Sequence, residues 1–199
     1  MFTTKYPWYE RSCSWAAING HLDCLQYAHK NGCPWDENTC CEAAYRGNLN
    51  CLRYAHVNGC PWDENTCFWA ATNGHLDCLQ YAHENGCPWD YTCSWAAENG
   101  HLDCLQYAHE NGCPWTENTC IWAAYHGNLH CLQYAHEHGC PWDERSSHWA
   151  AENGQLNTLQ YAHIHGCPWD ITVLKSNYPC IQTYAGENNC PLSFQSRKS

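Results

Sequence analysis

Apolar and polar positions along the chain recur every 27 residues. The first complete block, residues 13–39, has the sequence CSWAAINGHLDCLQYAHKNGCPWDENT, and five further blocks follow it. One block is a residue shorter, and its deletion falls between Asp90 and Thr92. We expect a connector there, because a helix interior would lose its face. Self-similarity at a fixed period of this size indicates a stack of small structural units.

Each block predicts two short helices. The first is rich in alanine and ends at a glycine, and the second places Leu22, Leu25 and Ala28 at the 3–4 spacing of a buried face before a glycine and a proline. Helices of about ten residues are marginal alone in water, so they must pack on each other and on the next block. The pattern therefore predicts an all-α fold, a solenoid of helical hairpins. Residues that could cap the first helices are Asp36, Asp63, Asp90, Thr116, Asp143 and Asp170.

We predict a single repeat domain that covers residues 1–199. A partial repeat occupies 1–12, and a degenerate cap with a tail occupies 171–199, of which Ser193–Ser199 should fray. The six complete repeats are 13–39, 40–66, 67–92, 93–119, 120–146 and 147–170.

One segment carries a family likeness. Residues 92–115, TCSWAAENGHLDCLQYAHENGCPW, resemble the ankyrin repeat, with its Ala-Ala-x-x-Gly-His-Leu run, and the likeness recurs six times over 7–170. It is similar in particular to the shortened, Cys- and Trp-rich arrays of large DNA viruses, which implies a viral protein. Typical ankyrin repeats have about 33 residues. The residues missing here fall between Trp35 and Cys40, so we predict little or no β-hairpin finger.

Composition and charge narrow the classes of partner and compartment. The net charge is −11 with only nine Lys and Arg, which argues against nucleic acid and anionic membranes as partners. No stretch of 18 apolar residues could span a bilayer, and the first residues lack the apolar segment of a secretory signal. We therefore expect a cytoplasmic protein, in the host cell if it is viral, with reduced cysteines.

The 19 cysteines raise the question of a metal site. Three of them recur from repeat to repeat, represented by Cys13, Cys24 and Cys33, with a histidine such as His29, and together they could satisfy tetrahedral zinc. There is no Cys-x-x-Cys pair, however, and the separations of 11 and 9 residues place the thiols on different segments. The ankyrin resemblance implies core positions for these cysteines. We favour packing without a cofactor, and zinc binding stays open as an alternative.

The other chemistry-bearing residues are also interpreted as structural. The His29 class should form neutral, hydrogen-bonded contacts between repeats, with a pH sensor as the alternative. Both tryptophans of a repeat, represented by Trp15 and Trp35, are assigned to the core. No nucleophile turn and no phosphate-binding glycine loop is present, so we predict that the protein is not an enzyme.

Positions that vary between repeats indicate where a partner binds. The pair after Ala-Ala varies, and in ankyrin repeats the matching pair faces the concave groove; a second variable position lies four residues before that pair, on the same helix face. We predict a monomeric scaffold that binds a protein, such as a host protein, through its concave helix face. A substrate-recruiting arm of a ubiquitin ligase, acting through an outside adaptor, is a further alternative. The predicted contact residues are Ile18, Tyr45, Arg46, Phe68, Thr72, Glu98, Ile121, Tyr125, His126 and Glu152.

Overall fold

The computed structural model describes residues 11–190. These residues form thirteen α-helices and one 3-10 helix, Val173–Lys175, and none of them is in a β-strand. The helices are α1 Ser12–Ile18, α2 Leu22–Lys30, α3 Glu37–Tyr45, α4 Leu49–Val57, α5 Glu64–Thr72, α6 Leu76–Glu84, α7 Thr92–Glu98, α8 Leu102–Glu110, α9 Glu117–His126, α10 Leu129–Glu137, α11 Glu144–Glu152, α12 Leu156–Ile164 and α13 Pro179–Glu187. Most of the predicted partial repeat 1–12 and all of Ser193–Ser199 lie outside the described residues.

Every repeat contains the two predicted helices, an odd-numbered first helix and an even-numbered second helix. The tight turn between them depends on glycine: Gly47, between α3 and α4, has φ +70°, a conformation that side-chain-bearing residues avoid. Its N–H donates to the carbonyl of Ala44, and the N–H of Asn48 donates to that of Ala43. These bonds satisfy carbonyls that a helix C-terminus leaves without partners.

The chain divides into two compact units, Met1–Thr92 and Cys93–Ser199. In the N-terminal unit α3 packs between α1 and α5, and α4 packs between α2 and α6. In the C-terminal unit α9 packs on α11, and α10 packs between α8 and α12. Each unit therefore has a layer of first helices and a layer of second helices. The organisation into a single domain stays a prediction.

The core of each repeat combines one large side chain with several small ones. The second of the two leucines in each second helix is fully buried, and so are nearly all the Ala-Ala pairs of the first helices. Small residues allow helices to approach closely, and the leucine fills the space between the two layers. The buried leucines are Leu25, Leu52, Leu79, Leu105, Leu132 and Leu159.

The predicted helix caps form in four of the six positions. The side chains of Asp36, Asp63, Thr116 and Asp143 each accept a hydrogen bond from the backbone N–H two residues later. In the shortened repeat α7 begins only at Thr92, after Tyr91 at φ 61°. The deletion therefore lies in the connector, as predicted, and Asp90 does not directly precede a helix. Asp170 accepts from the N–H of Thr172 at 2.8 Å, before the 3-10 helix.

The predicted core position of the cysteines is confirmed for all but Cys24 and Cys180, which are exposed. Burial, and after it the Asp103 carboxylate of the preceding repeat, raises the pKa of Cys131, a member of the Cys24 class, to about 12. Cys24 itself belongs to the first described repeat, so no described helix covers it. Its assignment to the core is wrong for that reason.

Cysteines of the Cys33 class also join consecutive repeats by hydrogen bonds. The thiol of Cys60 donates to the carbonyl oxygen of Asp36 at 3.1 Å, and Cys87 donates to Asp63 at 3.1 Å. In the C-terminal unit Cys140 donates to the carbonyl of Thr116 at 3.3 Å. Each of these carbonyls also accepts the N–H of the residue three positions later, as that of Asp36 does from Thr39, so the thiol adds a second bond. The sulfur therefore acts here as more than a small hydrophobe.

Asparagine at the start of a second helix makes a different bond between repeats. The amide nitrogen of Asn48 donates to the carbonyls of Ala17 and Ile18 at 2.8 and 3.0 Å. Asn128 makes the same pair of bonds in the C-terminal unit, to Ala97 at 3.0 Å and Glu98 at 2.6 Å. Both asparagines occupy the N-cap position but make no side-chain cap bond to their own helix. Their amides instead satisfy the C-terminal carbonyls of the neighbouring first helix.

Replacing Asn48 with alanine should destabilise the N-terminal unit by about 1–3 kcal/mol, because two helix-end carbonyls each lose one hydrogen bond, although that of Ala17 still accepts the N–H of Gly20. Asn50→Ala is the matched control, since Asn50 is exposed on the same helix, α4. Urea unfolding followed by far-UV circular dichroism measures both changes. Equal destabilisation by the two variants would contradict this role of Asn48.

The C-terminal cap preserves the second half of a repeat. Helix α13 buries Ile181 and Ala185 as a complete repeat buries Leu and Ala. The hydroxyl of Tyr184 lies 2.8 Å from Nδ1 of His163, and the thiol of Cys190 donates to the carbonyl of Asp170 at 3.0 Å. This segment therefore covers the last complete repeat with the same bonds that join the others.

Candidate protein-binding face

The first helices bury one side and expose the other. In α1, Cys13, Ala16 and Ala17 are buried, whereas Trp15 is 68% exposed. Cys13, Ala16 and Ala17 have the spacing of one helix face, and Trp15 and Ile18 lie off it. In each unit we name the exposed side of the first helices, α1, α3 and α5 in the N-terminal unit and α7, α9 and α11 in the C-terminal unit, the first-helix face.

A row of tryptophans on this face was not predicted. Trp95, Trp122 and Trp149, the equivalents of Trp15, are 36–39% exposed, and Trp69 is half-buried. The assignment of both tryptophans of each repeat to the core is therefore wrong for this class. For the Trp35 class the core assignment is closer to the structure, since Trp35 is half-buried. Its ring stacks on that of His29 at 3.8 Å and lies edge-on to Tyr54 of the next repeat at 6.3 Å.

The first-helix face of the C-terminal unit has a cluster of aromatic rings. The ring of Tyr125 lies 5.7 Å from that of Trp122 and 5.6 Å from that of Trp149. Beside it, Nε2 of His126 lies 3.6 Å from a carboxylate oxygen of Glu98. The cluster thus combines large partly exposed rings with a polar edge, a composition typical of binding hot spots.

The N-terminal unit has a smaller cluster of the same kind. Tyr45 packs edge-on against Trp69 at 5.3 Å, and the guanidinium of Arg46 lies 5.2 Å from the centre of the Tyr45 ring. Trp69 also contacts Phe68 edge-on at 4.6 Å. A pocket of about 580 Å³ lies near this cluster, between α1 and α3, and Trp15, Glu42 and Arg46 are among its lining residues.

Comparison with known proteins identifies the fold. Sequence profiles described as ankyrin repeats in many copies match residues 13–56 and 67–109, and a profile described as three copies of ankyrin repeats matches residues 93–173. The chain belongs to the ankyrin-repeat family. The human ASB11 ankyrin repeat domain, a solved structure, is 18% identical, with a TM-score of 0.68, 78% of this chain covered and 84% of that chain. No curated protein matches the sequence.

These matches confirm the predicted family and fold class. The ankyrin-repeat chain is an all-α helical-repeat solenoid, and its described residues contain no β-hairpin finger, as the short connectors predict. Similarity to viral arrays stays a prediction, and at 18% identity the solved structure supports the fold alone. No helix within residues 11–190 has the length and apolar character to cross a membrane.

Most of the predicted contact residues lie on or beside the first-helix face. Arg46 and His126 are exposed at the ends of their helices. In the other four repeats the equivalent residue is an asparagine whose amide donates to a carbonyl of its own helix, as Asn19 does to Trp15 at 2.7 Å. That asparagine closes the end of its own helix, so at this position only Arg46 and His126 present side chains without that bond. The half-buried residues of the predicted set are Ile18, Tyr45, Thr72, Glu98, Tyr125 and Glu152.

The second variable position packs against the next first helix. The hydroxyl of Ser14 lies 3.3 Å from that of Thr39, and Ser94 makes the same contact with Thr119 at 3.0 Å. Ile121 occupies this position and is only 5% exposed, so it offers a partner almost no surface. Ile121 is therefore wrong as a predicted contact residue. Phe68 is half-buried at the same position.

The predicted hydrogen bonds of the histidine ladder form at His29, His56, His109 and His163, whereas His136 only packs edge-on against Tyr161, whose hydroxyl has no hydrogen-bond partner among the described residues. Nδ1 of His56 lies 2.8 Å from the hydroxyl of Tyr81 in the next repeat, and His109 makes the same contact with Tyr134 at 3.0 Å. Each histidine of this class is also stacked on the tryptophan that follows it, as His56 is on Trp62 at 3.8 Å. Throughout residues 11–190 no three His, Cys, Asp or Glu side chains form a group that could hold a metal ion.

Proposed function

We propose that this ankyrin-repeat protein is a non-enzymatic scaffold that binds a partner protein through its first-helix face, the concave face of the family. The observation that carries the proposal is the repeated exposure of Trp15, Trp95, Trp122 and Trp149, at 36–68% of their surface. Exposing a large aromatic ring to water is unfavourable, and a partner that covers it gains that free energy.

The fold favours such binding in a second way. Each first helix is fixed on its neighbours by buried alanines and by bonds between repeats, such as those of Asn48. Side chains presented by a rigid layer lose little conformational freedom when a partner docks, so less of the binding free energy is lost to ordering. Contact residues in the proposal are Ile18, Tyr45, Arg46, Phe68, Thr72, Glu98, Tyr125, His126 and Glu152, with the four exposed tryptophans and Trp69.

The compartment and the oligomeric state are proposed with it. The 19 cysteines are free thiols and all but two of them are buried, a state that suits a reducing cytoplasm. We propose a monomer, since the acidic chain has a net charge of −11, which opposes self-association. No observation among the described residues favours the zinc or ubiquitin-ligase alternative, and both stay predictions from the sequence.

A binding experiment tests the proposal in the C-terminal unit. A partner protein is first isolated by affinity purification. Tyr125→Ala and Trp122→Ala should each weaken its binding by about 1–3 kcal/mol, because each variant removes a ring from the aromatic cluster. Isothermal titration calorimetry measures the loss, and circular dichroism verifies that the helices are intact.

The control is Ile164→Ala, in the same unit. Ile164 is 72% exposed at the end of a second helix, α12, so its truncation removes a similar apolar group from outside the first-helix face. Partner binding that survives both aromatic variants, or that Ile164→Ala weakens equally, would place the interface elsewhere.

A further inference from the structure

The pocket between α1 and α3 exists where the second repeat departs from the other five. Five repeats have tryptophan at the Trp15 position, and only the second repeat has a glutamate, Glu42. The pocket of about 580 Å³ is lined in part by Trp15, Ile18 and Glu42. Trp15 is 68% exposed, nearly twice the exposure of its equivalents Trp122 and Trp149 at 39% and 38%. The pocket therefore places an exposed indole beside the carboxylate of Glu42.

We propose that this pocket receives one basic side chain, an arginine or a lysine, of the partner protein. The inference rests on the proposed function and specifies the chemistry of the partner at one point of the first-helix face. The indole of Trp15 offers its ring to a cation, and Ile18 offers apolar surface to the aliphatic part of the guest. The carboxylate of Glu42 then accepts charge-assisted hydrogen bonds from the guanidinium or ammonium.

Glu42 is the carboxylate available to such a guest. Asp36 also lines the pocket, but its two oxygens already accept bonds from the N–H and the amide of Asn38, at 3.1 and 3.0 Å. Glu42 forms no ion pair or hydrogen bond with another residue of the described range 11–190. It is therefore an acceptor at the pocket without a competing partner in the described chain.

The charge of the protein favours a basic guest over an acidic one. Two cations, Arg11 and Arg46, line the same pocket. Arg46, however, lies over the ring of Tyr45 at 5.2 Å. At long range the net charge of −11 attracts a basic partner and repels an acidic one. An acidic guest held by the two arginines is the competing outcome, and the test separates the two.

Three variants of the full chain isolate the contribution of the pocket. Glu42→Trp restores the residue that the other five repeats have, so it fills the pocket with a side chain that the fold accommodates. Glu42→Gln removes the negative charge and preserves the shape. Glu64→Gln is the control, because Glu64 is an exposed carboxylate on α5 that does not line the pocket and its loss changes the net charge equally.

The probe is a phage-displayed library of random dodecapeptides, selected on the wild-type chain and depleted on Glu42→Trp. We expect the surviving peptides to share an arginine or lysine. A synthetic peptide of this set should bind Glu42→Gln about tenfold more weakly than wild type, and Glu64→Gln as wild type does. Alanine at the shared position of the peptide should weaken binding to wild type but have no further effect on Glu42→Gln.

Survivors that share an acidic or apolar residue instead, equal binding to wild type and Glu42→Trp, or no survivors at all would overturn the proposal. The partner isolated by affinity purification distinguishes this failure from failure of the proposed function. Should that partner lose affinity for Trp122→Ala and bind Glu42→Trp as it binds wild type, the first-helix face is retained and the pocket is rejected. If neither Trp122→Ala nor Glu42→Trp weakens the binding of that partner, both the proposed function and the pocket proposal are rejected.

Discussion

Replacing Gly47 with alanine should lower the free energy of unfolding by about 3 kcal/mol, the sum of a backbone cost and a steric cost. Gly47 has φ +70°, and a Cβ there would lie 2.5 Å from Nδ1 of His75 in the turn of the next repeat. The left-handed conformation costs an alanine about 1–2 kcal/mol, and forcing the rigid imidazole aside adds about 1–3 kcal/mol. Chemical unfolding followed by circular dichroism measures the change.

The chain provides a control that separates the two costs. Gly59 ends α4 with φ +83°, and no heavy atom lies within 4 Å of the position that its Cβ would occupy. Gly59→Ala therefore has the backbone cost without the clash, and its effect should stay at about 1–2 kcal/mol. If the two variants were equally destabilised, the close approach of consecutive turns would not contribute to stability.

Lowering the pH from 7.5 to 5 should lower the melting temperature. Burial lowers the pKa of His56, His109, His136 and His163 below the ordinary 6.5. As the pH falls through 6.5, the unfolded chain gains protons that the folded chain does not, so stability decreases until the folded histidines are themselves protonated. Above pH 6.5 this contribution to stability is fully present. Differential scanning calorimetry across the range measures the trend.

The choice of pH 5 and one variant make the histidine test specific. A hydrogen bond from Arg145 lowers the pKa of Asp143 below its ordinary value of 3.8, so that carboxylate stays ionised at pH 5. His56→Leu removes one titrating ring, and its melting temperature should fall less between pH 7.5 and 5 than that of wild type. A melting temperature independent of pH, or an identical decrease in the variant, would count against buried neutral histidines.

The sequence was sufficient to predict the helices because their ends are set by local chemistry. Glycines at positive φ, such as Gly47, and capping oxygens, such as that of Asp36, act within a few residues of their own position. Even the one-residue deletion could be assigned to a connector, since α7 has to present the same face as its equivalents. Short-range signals of this kind are visible in a single sequence.

The exposed tryptophans were missed for a different reason. Tryptophan is a large apolar residue, and its recurrence in a regular repeat is equally compatible with a buried ladder and with an exposed row. A seven-residue helix such as α1 gives only two turns over which to judge a face. The signal was nevertheless present, since Cys13, Ala16 and Ala17 have the helical spacing of one buried face and exclude Trp15 from it.

Apart from the histidine contacts, the contacts between repeats could not be predicted from residue types alone. Asn48 follows Gly47 as His21 follows Gly20, and only the stacking of the turns places the Asn48 amide beside the carbonyls of Ala17 and Ile18. The inward position of Ile121 has the same origin, because the neighbouring helix decides what it covers. Such pairs depend on the register between blocks, which local periodicity does not determine.

The histidine and cysteine bonds between complete repeats span nearly the same length of chain. The histidine–tyrosine contacts of His29, His56 and His109 join residues 25 apart, and those of Cys60, Cys87 and Cys140 join residues 24 apart. Each bond therefore connects only adjacent blocks. Recombination that adds or removes one whole block within a unit would recreate every such bond at the new junction, so gene duplication could lengthen this array without inventing a new contact.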